Sequence, residues 1–200
     1  MTVPGRVEAA TLLLSLDPPP WLLRHARAVA EVAAWLARRT EAAGSAVDRR
    51  LVEATALLHD ADKALPATDP SKSLRHGDGS ADWLARHGHP ELGAAVAGHP
   101  VTRLADDRWY ERWSTDASSE ERIVAYADKR AGQRIEPMAA RFASWDRRYP
   151  DGWNAEEAAT VRRRAAALEA AVCDGARIRP EAVRRLAWTG PALRTARARQ

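Results

Sequence analysis

Apolar side chains recur with a helical period of about 3.6 residues along almost the whole chain, and no stretch shows the strict alternation of a half-buried strand. The longest of these patterns begins at about Trp21 and ends near Ala43, where Gly44 can cap a helix. Its apolar positions form one stripe, which has to be buried against other helices. The sequence therefore predicts an all-α fold, a bundle of helices without a sheet.

Prolines, glycines and short polar stretches divide the rest of the chain into further helices and loops. The remaining helices are predicted over residues 6–16, 49–59, 79–86, 90–98, 119–133, 137–148, 155–174 and 180–188. Residues 64–76 and 100–117 are expected to be irregular. We expect one main domain over residues 1–135, a C-terminal helical extension over residues 136–188 that packs on it, and a disordered basic tail over residues 189–200.

Composition and charge narrow the class of protein. Hydrophobic residues make up 46% of the 200 residues, which is sufficient for a sizeable core. The single cysteine, Cys173, excludes an internal disulfide framework and fits a reducing compartment. The apolar run Leu12–Leu14 is too short for a signal or membrane segment, and a net charge of +4 does not indicate nucleic-acid binding. We therefore expect a cytoplasmic protein with neither a membrane nor a nucleic acid as its partner.

A histidine and an aspartate stand side by side at the end of the predicted helix over residues 49–59. The sequence there is Ala56-Leu57-Leu58-His59-Asp60-Ala61-Asp62-Lys63. A neutral imidazole and a carboxylate are both ligands for divalent cations, and the two oxygens of Asp60 can bridge two cations while His59 binds one. The pair alone is a weak signal, because adjacent His and Asp residues also occur by chance.

Three other histidines and a later aspartate strengthen the interpretation of a metal site. His25 lies near the start of the long helix, His76 precedes a predicted helix and His99 follows one. Asp128 lies within the predicted helix over residues 119–133. These residues are far apart in the sequence, but the helices of a bundle can project them to one point in its core.

These residues and their neighbours resemble the motifs of the HD-domain superfamily of metal-dependent phosphohydrolases. The matching pieces are Arg24-His25-Ala26, residues 57–63, His76-Gly77, His99-Pro100 and residues 125–130. The pieces His76-Gly77 and His99-Pro100 are most similar to those of the bacterial symmetrical diadenosine tetraphosphate hydrolases. Asp62 departs from the pattern, because many members have Gly there, and Pro100 stands where that branch more often has Thr. The resemblance covers about residues 20–135, and it implies an HD-domain helical bundle followed by additional C-terminal helices.

The resemblance also implies which residues hold two divalent ions, for which Fe, Mn, Zn and Ni are all suitable. The expected ligands are His25, His59, Asp60 and Asp128 for one ion, and His76 and His99 with the bridging Asp60 for the other. The implied reaction is hydrolysis of a nucleotide or another phosphate ester by a water that the metals activate.

The expected reaction suggests further site residues. Asp60 and Lys63 are the expected catalytic residues, since Lys63 lies close enough along the chain to contact a phosphate or protonate the leaving oxygen. Lys63, Arg103 and Arg130 are the expected substrate-binding residues, because each can bring positive charge to a phosphate.

Other interpretations stay open at this point. An HD-fold di-iron oxygenase would use the same ligand types, and a non-catalytic domain would bind a nucleotide without turnover. The helices after residue 136 can either cover the site or form the interface of a homodimer. His89, in a His-Pro pair, is an alternative to His76. About ten residues of helix span about 15 Å, so His89 and His99 are too far apart to share one metal pair, and we favour His76.

Overall fold

The computed structural model describes residues 3–199, and this part of the chain forms ten α-helices and no strand, which confirms the predicted all-α class. The helices are α1 (Arg6–Ser15), α2 (Pro20–Ala42), α3 (Arg49–Leu58), α4 (Asp78–Arg86), α5 (Gly93–Gly98), α6 (Asp107–Asp116), α7 (Ser119–Arg130), α8 (Met138–Arg148), α9 (Ala155–Gly175) and α10 (Thr189–Arg197). Short 3₁₀ turns lie at Ala61–Lys63, Pro70–Ser73, Pro90–Leu92, Val101–Leu104 and Pro180–Ala182. None of the helices within residues 3–199 has the length and apolar composition that a membrane span requires.

Helix α2 is the centre of the bundle, and α3, α7 and α10 pack against it. It begins at Pro20, whose missing N–H is not needed in the first turn of a helix. Many of its buried residues are alanines, among them Ala26, Ala30, Ala33 and Ala34. Because these side chains are small, neighbouring helices can approach α2 closely along most of its length.

Helices α3 and α7, which pack against α2, both begin with side-chain caps. The Asp48 carboxylate accepts a hydrogen bond from the Leu51 amide at the start of α3, and Ser118 and Glu121 form a reciprocal capping box at the start of α7. These caps fix where α3 and α7 begin, and so they also fix which residues stand at the opposite ends of both helices. Those opposite ends lie beside α2 and contain His59, Asp60 and Asp128.

The C-terminal extension packs on the bundle through α9, which contacts α7 and the turn Val101–Leu104. A small second hydrophobic core joins the two parts, and it consists of Leu104, Phe142, Val161 and Ala165. Helix α8 lies between α7 and α9 in the chain and contacts α7. The extension therefore covers one side of the bundle near the end of α7.

The prediction of a disordered tail over residues 189–200 is wrong for the residues described, since Thr189–Arg197 forms α10 against α1 and α2. Ala192, Leu193 and Ala196 are buried there, at helical spacing among arginines that stay exposed. The segment before α10 is held by Glu31, whose carboxylate binds Arg185 at 2.6 Å. Apolar burial and this ion pair outweigh the local positive charge. Gln200 lies outside the described residues.

Two other predicted segments differ from the structure. Residues 100–117 are not irregular, because Asp107–Asp116 forms α6, with the Asp106 side chain accepting from the Trp109 amide as its N-cap. Residues 180–188 are not a helix beyond the turn Pro180–Ala182, because the segment runs extended across α2, and the Leu186 amide donates to the Glu31 carbonyl. In both places tertiary partners, which the local pattern does not reveal, decide the backbone conformation.

Substitution of Leu193 by alanine tests whether α10 belongs to the folded core. Leu193 is 4% exposed, so Leu193→Ala should lower the free energy of unfolding by about 2–5 kcal/mol, measured by urea denaturation. The matched control Thr195→Ala lies on the exposed face of the same helix and should change the value by no more than about 0.5 kcal/mol. Equal stability of the two variants would contradict the packing of α10.

Candidate metal centre

Five elements of the bundle each bring one or two polar side chains to the same point in the core. Helix α2 supplies His25, and His59 and Asp60 follow directly after α3. His76 stands just before α4, His99 directly follows α5, and Asp128 lies in the last turn of α7. All six predicted ligands are brought together, and all but His76 are buried.

The first group of ligand atoms surrounds one oxygen of Asp60. The Oδ2 atom of Asp60 lies 3.3 Å from Nε2 of His25 and 3.5 Å from Nε2 of His59. The Oδ1 atom of Asp128 lies 3.3 Å from Nε2 of His25 and 3.9 Å from Nε2 of His59. Two imidazole nitrogens and two carboxylate oxygens therefore form a compact set of four.

The second group surrounds the other oxygen of the same carboxylate. The Oδ1 atom of Asp60 lies 3.3 Å from Nε2 of His76 and 3.4 Å from Nε2 of His99, and these two nitrogens are 3.2 Å apart. Within the described residues, Asp60 Oδ1 is buried and accepts no hydrogen bond. Asp60 thus turns one oxygen to each group, as a bridging ligand would.

Hydrogen bonds on the far side of the rings leave Nε2 as the free nitrogen in each histidine. The Nδ1 atoms of His25, His59 and His99 lie beside the backbone carbonyls of Gly132, Ala56 and Val96. A carbonyl only accepts, so each Nδ1 carries its proton and donates. The Nε2 atoms of His25 and His59 are only 3.1 Å apart, an approach that requires positive charge between their lone pairs. A proton or a metal ion can supply it.

The separations of the ligand atoms fit a divalent ion. Ligands at about 2.1 Å from a tetrahedral centre stand about 3.4 Å from one another. The separations given above within the two groups run from 3.1 Å to 3.9 Å. Imidazole and carboxylate together suit Mn, Fe, Zn and Ni. The residues present therefore fit metal ions in both groups.

The electrostatics of the site show how its charges are balanced. Burial disfavours the charged ring of His25, but the carboxylates of Asp128 and Asp60 outweigh burial and raise its pKa to about 9. Burial lowers the pKa of His59 to about 3, so this ring stays neutral. The pKa values of Asp60 and Asp128 lie well below the usual range, because the neighbouring histidines outweigh the effect of burial. A protonated His25 thus supplies positive charge between these two carboxylates.

Comparison with known protein families identifies the family to which this chain belongs. The family model described as HD domain matches residues 22–132, which is more than half of the chain. This protein belongs to the HD-domain family. Proteins of this family commonly bind divalent metals and act as metal-dependent hydrolases. Searches of curated proteins and of solved structures found no match to this chain, and the family match does not support the particular branch that the motifs resemble.

Asp62, where many HD domains have Gly, has a definite place in this one. Its Oδ2 atom accepts from Nδ1 of His76 at 2.8 Å and from the Gly77 amide at 3.0 Å. The carboxylate therefore fixes the His76 ring so that Nε2 points to Asp60. In the sequence Asp62 stands out only as a departure from the family pattern, although a second carboxylate two residues after Asp60 is a signal that it serves the site.

Three residues considered in the sequence analysis lie outside the centre. His89 faces Glu91, with 3.5 Å between Nδ1 and Oε1, and takes no part in either group of ligand atoms. Arg103 is buried against Asp78 and stacks on Trp109, and Arg130 is paired with Glu169. The structure does not bring these two guanidinium groups to the metal centre, because internal carboxylates neutralise them elsewhere. Lys63 does lie there, with Nζ at 2.7 Å from Asp60 Oδ2.

A cavity of about 1140 Å³ opens on the metal centre. Lys63, His25, His76 and Asp128 form its inner end. Its outer wall comes from α8 and the residues around it, namely Arg141, Ser144, Trp145, Asp146, Arg148, Tyr149, Gly152 and Trp153. The part of the chain beyond the HD-domain match therefore forms one side of the approach to the centre.

Removal of the Asp62 carboxylate should weaken metal binding at the group that contains His76. We expect Asp62→Ala to lower the affinity for Mn²⁺ about 10- to 100-fold in a calorimetric titration, because the His76 ring loses its orienting acceptor. The control Asp82→Ala removes a carboxylate on α4 that contacts Ser71 and Arg86 instead, and should leave the affinity for Mn²⁺ unchanged. An Asp62→Ala protein with the affinities of the parent would contradict this role.

Metal binding should release a proton from His25. With a pKa of about 9, the metal-free ring is protonated at pH 7.5, and Nε2 must lose that proton before it can bind a metal. Affinity should therefore rise with pH up to about 9, and calorimetry in buffers of different ionisation enthalpy should detect the released proton. Metal binding at pH 7.5 without proton release would contradict the charge balance described above.

Proposed function

We propose that this HD domain hydrolyses a phosphate ester, with a nucleotide as the favoured substrate class. The observation that carries the proposal is the position of the Asp60 carboxylate. Its two oxygens face separate pairs of histidines at 3.3–3.5 Å. A carboxylate shared in this way supports a centre of two divalent ions. Such pairs of ions suit displacement at phosphorus, in which the attacking and the leaving oxygen both need stabilisation.

Divalent ions in this centre would supply Lewis acidity and lower the pKa of a coordinated water towards about 7. The side chains of the chain have other tasks. Asp60 and Asp128 provide negative charge that retains cations, and the four histidines bind through Nε2 while their Nδ1 atoms donate to carbonyls or to Asp62.

Lys63 is the best-placed residue for contact with the reacting phosphate. Its ammonium lies 2.7 Å from Asp60 Oδ2, and its side chain keeps 37% of its surface exposed towards the cavity. Asp60 also raises the pKa of Lys63, against the opposing and larger single effect of burial, so the side chain is a cation at neutral pH. It can donate to a phosphoryl oxygen or give a proton to the leaving oxygen.

Aromatic side chains around the cavity favour a substrate with a planar group. Trp21 and Tyr149 both line the cavity and remain 45% and 61% exposed, which is unusual for side chains of this size. Trp145 and Trp153 line it as well. A nucleobase can stack on such rings, whereas a simple alkyl phosphate would leave them exposed to water.

Hydrolysis should depend on Asp60 and on the metals. We expect Asp60→Ala to lower turnover at least about 100-fold in metal-replete enzyme, assayed with mononucleotides, dinucleoside polyphosphates and p-nitrophenyl phosphate, because the bridge between the two groups is lost. His99→Ala should reduce the metal content from two ions per chain to one. His89→Ala is the matched control, since His89 lies outside both groups, and it should keep the full metal content and activity.

The same assays separate this proposal from its rivals. Turnover that persists without oxygen and with Zn²⁺ or Mn²⁺ would exclude an oxygenase. Tight nucleotide binding without turnover, in protein that holds its metals, would instead support a binding domain. Unchanged hydrolysis after Asp60→Ala would overturn the proposal.

A further inference from the structure

Arg141 is a buried cation to which residues 3–199 supply no carboxylate in salt-bridge range. It lies on α8, beyond the segment that matches the HD domain, and only 8% of its surface is exposed. Within residues 3–199 no carboxylate lies in salt-bridge range of its guanidinium, and its Nε atom is buried without a hydrogen-bond partner. Arg103 and Arg130, the other buried arginines in this part of the chain, are paired with Asp78 and Glu169.

Two carboxylates that line the same cavity as Arg141 are already engaged. Glu136 is paired with Arg134 at 3.2 Å, and Asp146 is paired with Arg162 at 2.6 Å. A buried charge without a partner is costly, because burial removes its hydration and nothing replaces it. An anion that enters the cavity can therefore bind Arg141 without first breaking an internal ion pair.

The guanidinium of Arg141 contacts Trp145 and Gly132. Its carbon atom lies 4.8 Å from the centre of the Trp145 ring, which is within the range of a cation–π contact, and such a contact does not use its N–H groups. One of its nitrogens lies 3.0 Å from the position that a Cβ would occupy at Gly132. The carbonyl of Gly132 accepts a hydrogen bond from His25, so Arg141 lies beside a residue that supports the metal centre.

We propose that Arg141 binds a second anionic group of a substrate whose reacting phosphate lies at the metal centre. This inference rests on the proposed function, and it names the substrate class as an organic phosphate with two separate anionic groups. The second group is a phosphate or a carboxylate, since the planar fork of an arginine matches both. Arg141 is then a residue that determines specificity, contributed by the C-terminal extension.

Binding of unreactive analogues tests this inference without the need for turnover. The probes are methylphosphonate, a series of alkyl bisphosphonates and a series of phosphonocarboxylates with one to three carbons between the anionic groups, titrated calorimetrically into metal-loaded protein. The best two-anion probe should bind about 10- to 100-fold more tightly than methylphosphonate. The better series identifies whether the second group is a phosphate or a carboxylate, and the best linker length reports its distance from the centre.

The selectivity should depend on Arg141 and not on Arg147 of the same helix. Arg141→Met should reduce the preference for two-anion probes to less than about threefold and leave methylphosphonate binding and metal content unchanged. Arg147→Met, an exposed position of the same helix outside the cavity lining, should keep the full preference. If Arg141→Met does not fold, Arg141→Gln, which also removes the charge, has to show the same loss.

The outcomes for this inference and for the proposed function are distinguishable. Equal binding of one-anion and two-anion probes by the parent protein, or an unchanged preference in Arg141→Met or Arg141→Gln, would overturn the role of Arg141 even if Asp60-dependent hydrolysis is observed. An Arg141-dependent preference in a protein that hydrolyses no phosphate ester would support the anion site and overturn the proposed function.

Discussion

The convergence of histidine nitrogens around one carboxylate is the constraint on which the rest of the structure depends. Two pairs of Nε2 atoms lie 3.1–3.2 Å apart beside two buried carboxylates, and this arrangement is unfavourable without added positive charge. Elsewhere the bundle is held by apolar contacts, mostly between small alanine side chains and leucines. At the centre, polar ligand atoms take the place of these apolar contacts. The energy of a bound cation would therefore stabilise the fold as well as equip the site.

Helix ends explain how such a cluster is built with little strain. His59 and His99 each stand directly after a helix, and each donates from Nδ1 to the carbonyl three residues earlier, at Ala56 and Val96. The last carbonyls of a helix have no partner within it, so the ring satisfies one of them. The same bond fixes the tautomer and directs Nε2 away from the helix. One local arrangement thus caps the helix and aims a ligand, and it is used twice.

The sequence predicted the fold class, because helical period is a local property. The gathering of His25, His59, Asp60, His76, His99 and Asp128 was predicted from ligand type together with the resemblance to HD-domain motifs, and their role as ligands remains a prediction. The pairing of Arg103 and Arg130 with Asp78 and Glu169, away from the centre, was not predicted, since the partner of a long arginine side chain depends on which carboxylate the fold brings within reach. Asp62 was missed as a support for His76 for the same reason. Residues 189–197 were missed because their burial depends on α1, at the opposite end of the chain.

The division of the cavity between two parts of the chain has a consequence for specificity. The segment that matches the HD domain ends at residue 132 and contains every predicted metal ligand, whereas α8 forms the opposite wall with Arg141 and Trp145. Chemistry at the centre depends on ligand positions that tolerate little change, because a hydrogen bond at Nδ1 fixes the ring of each of the four histidines. The wall has no such restriction, since its side chains need only suit the part of the substrate that does not react. Changes in α8 can therefore alter which phosphate compound is bound while the centre, and the reaction we propose for it, stay the same.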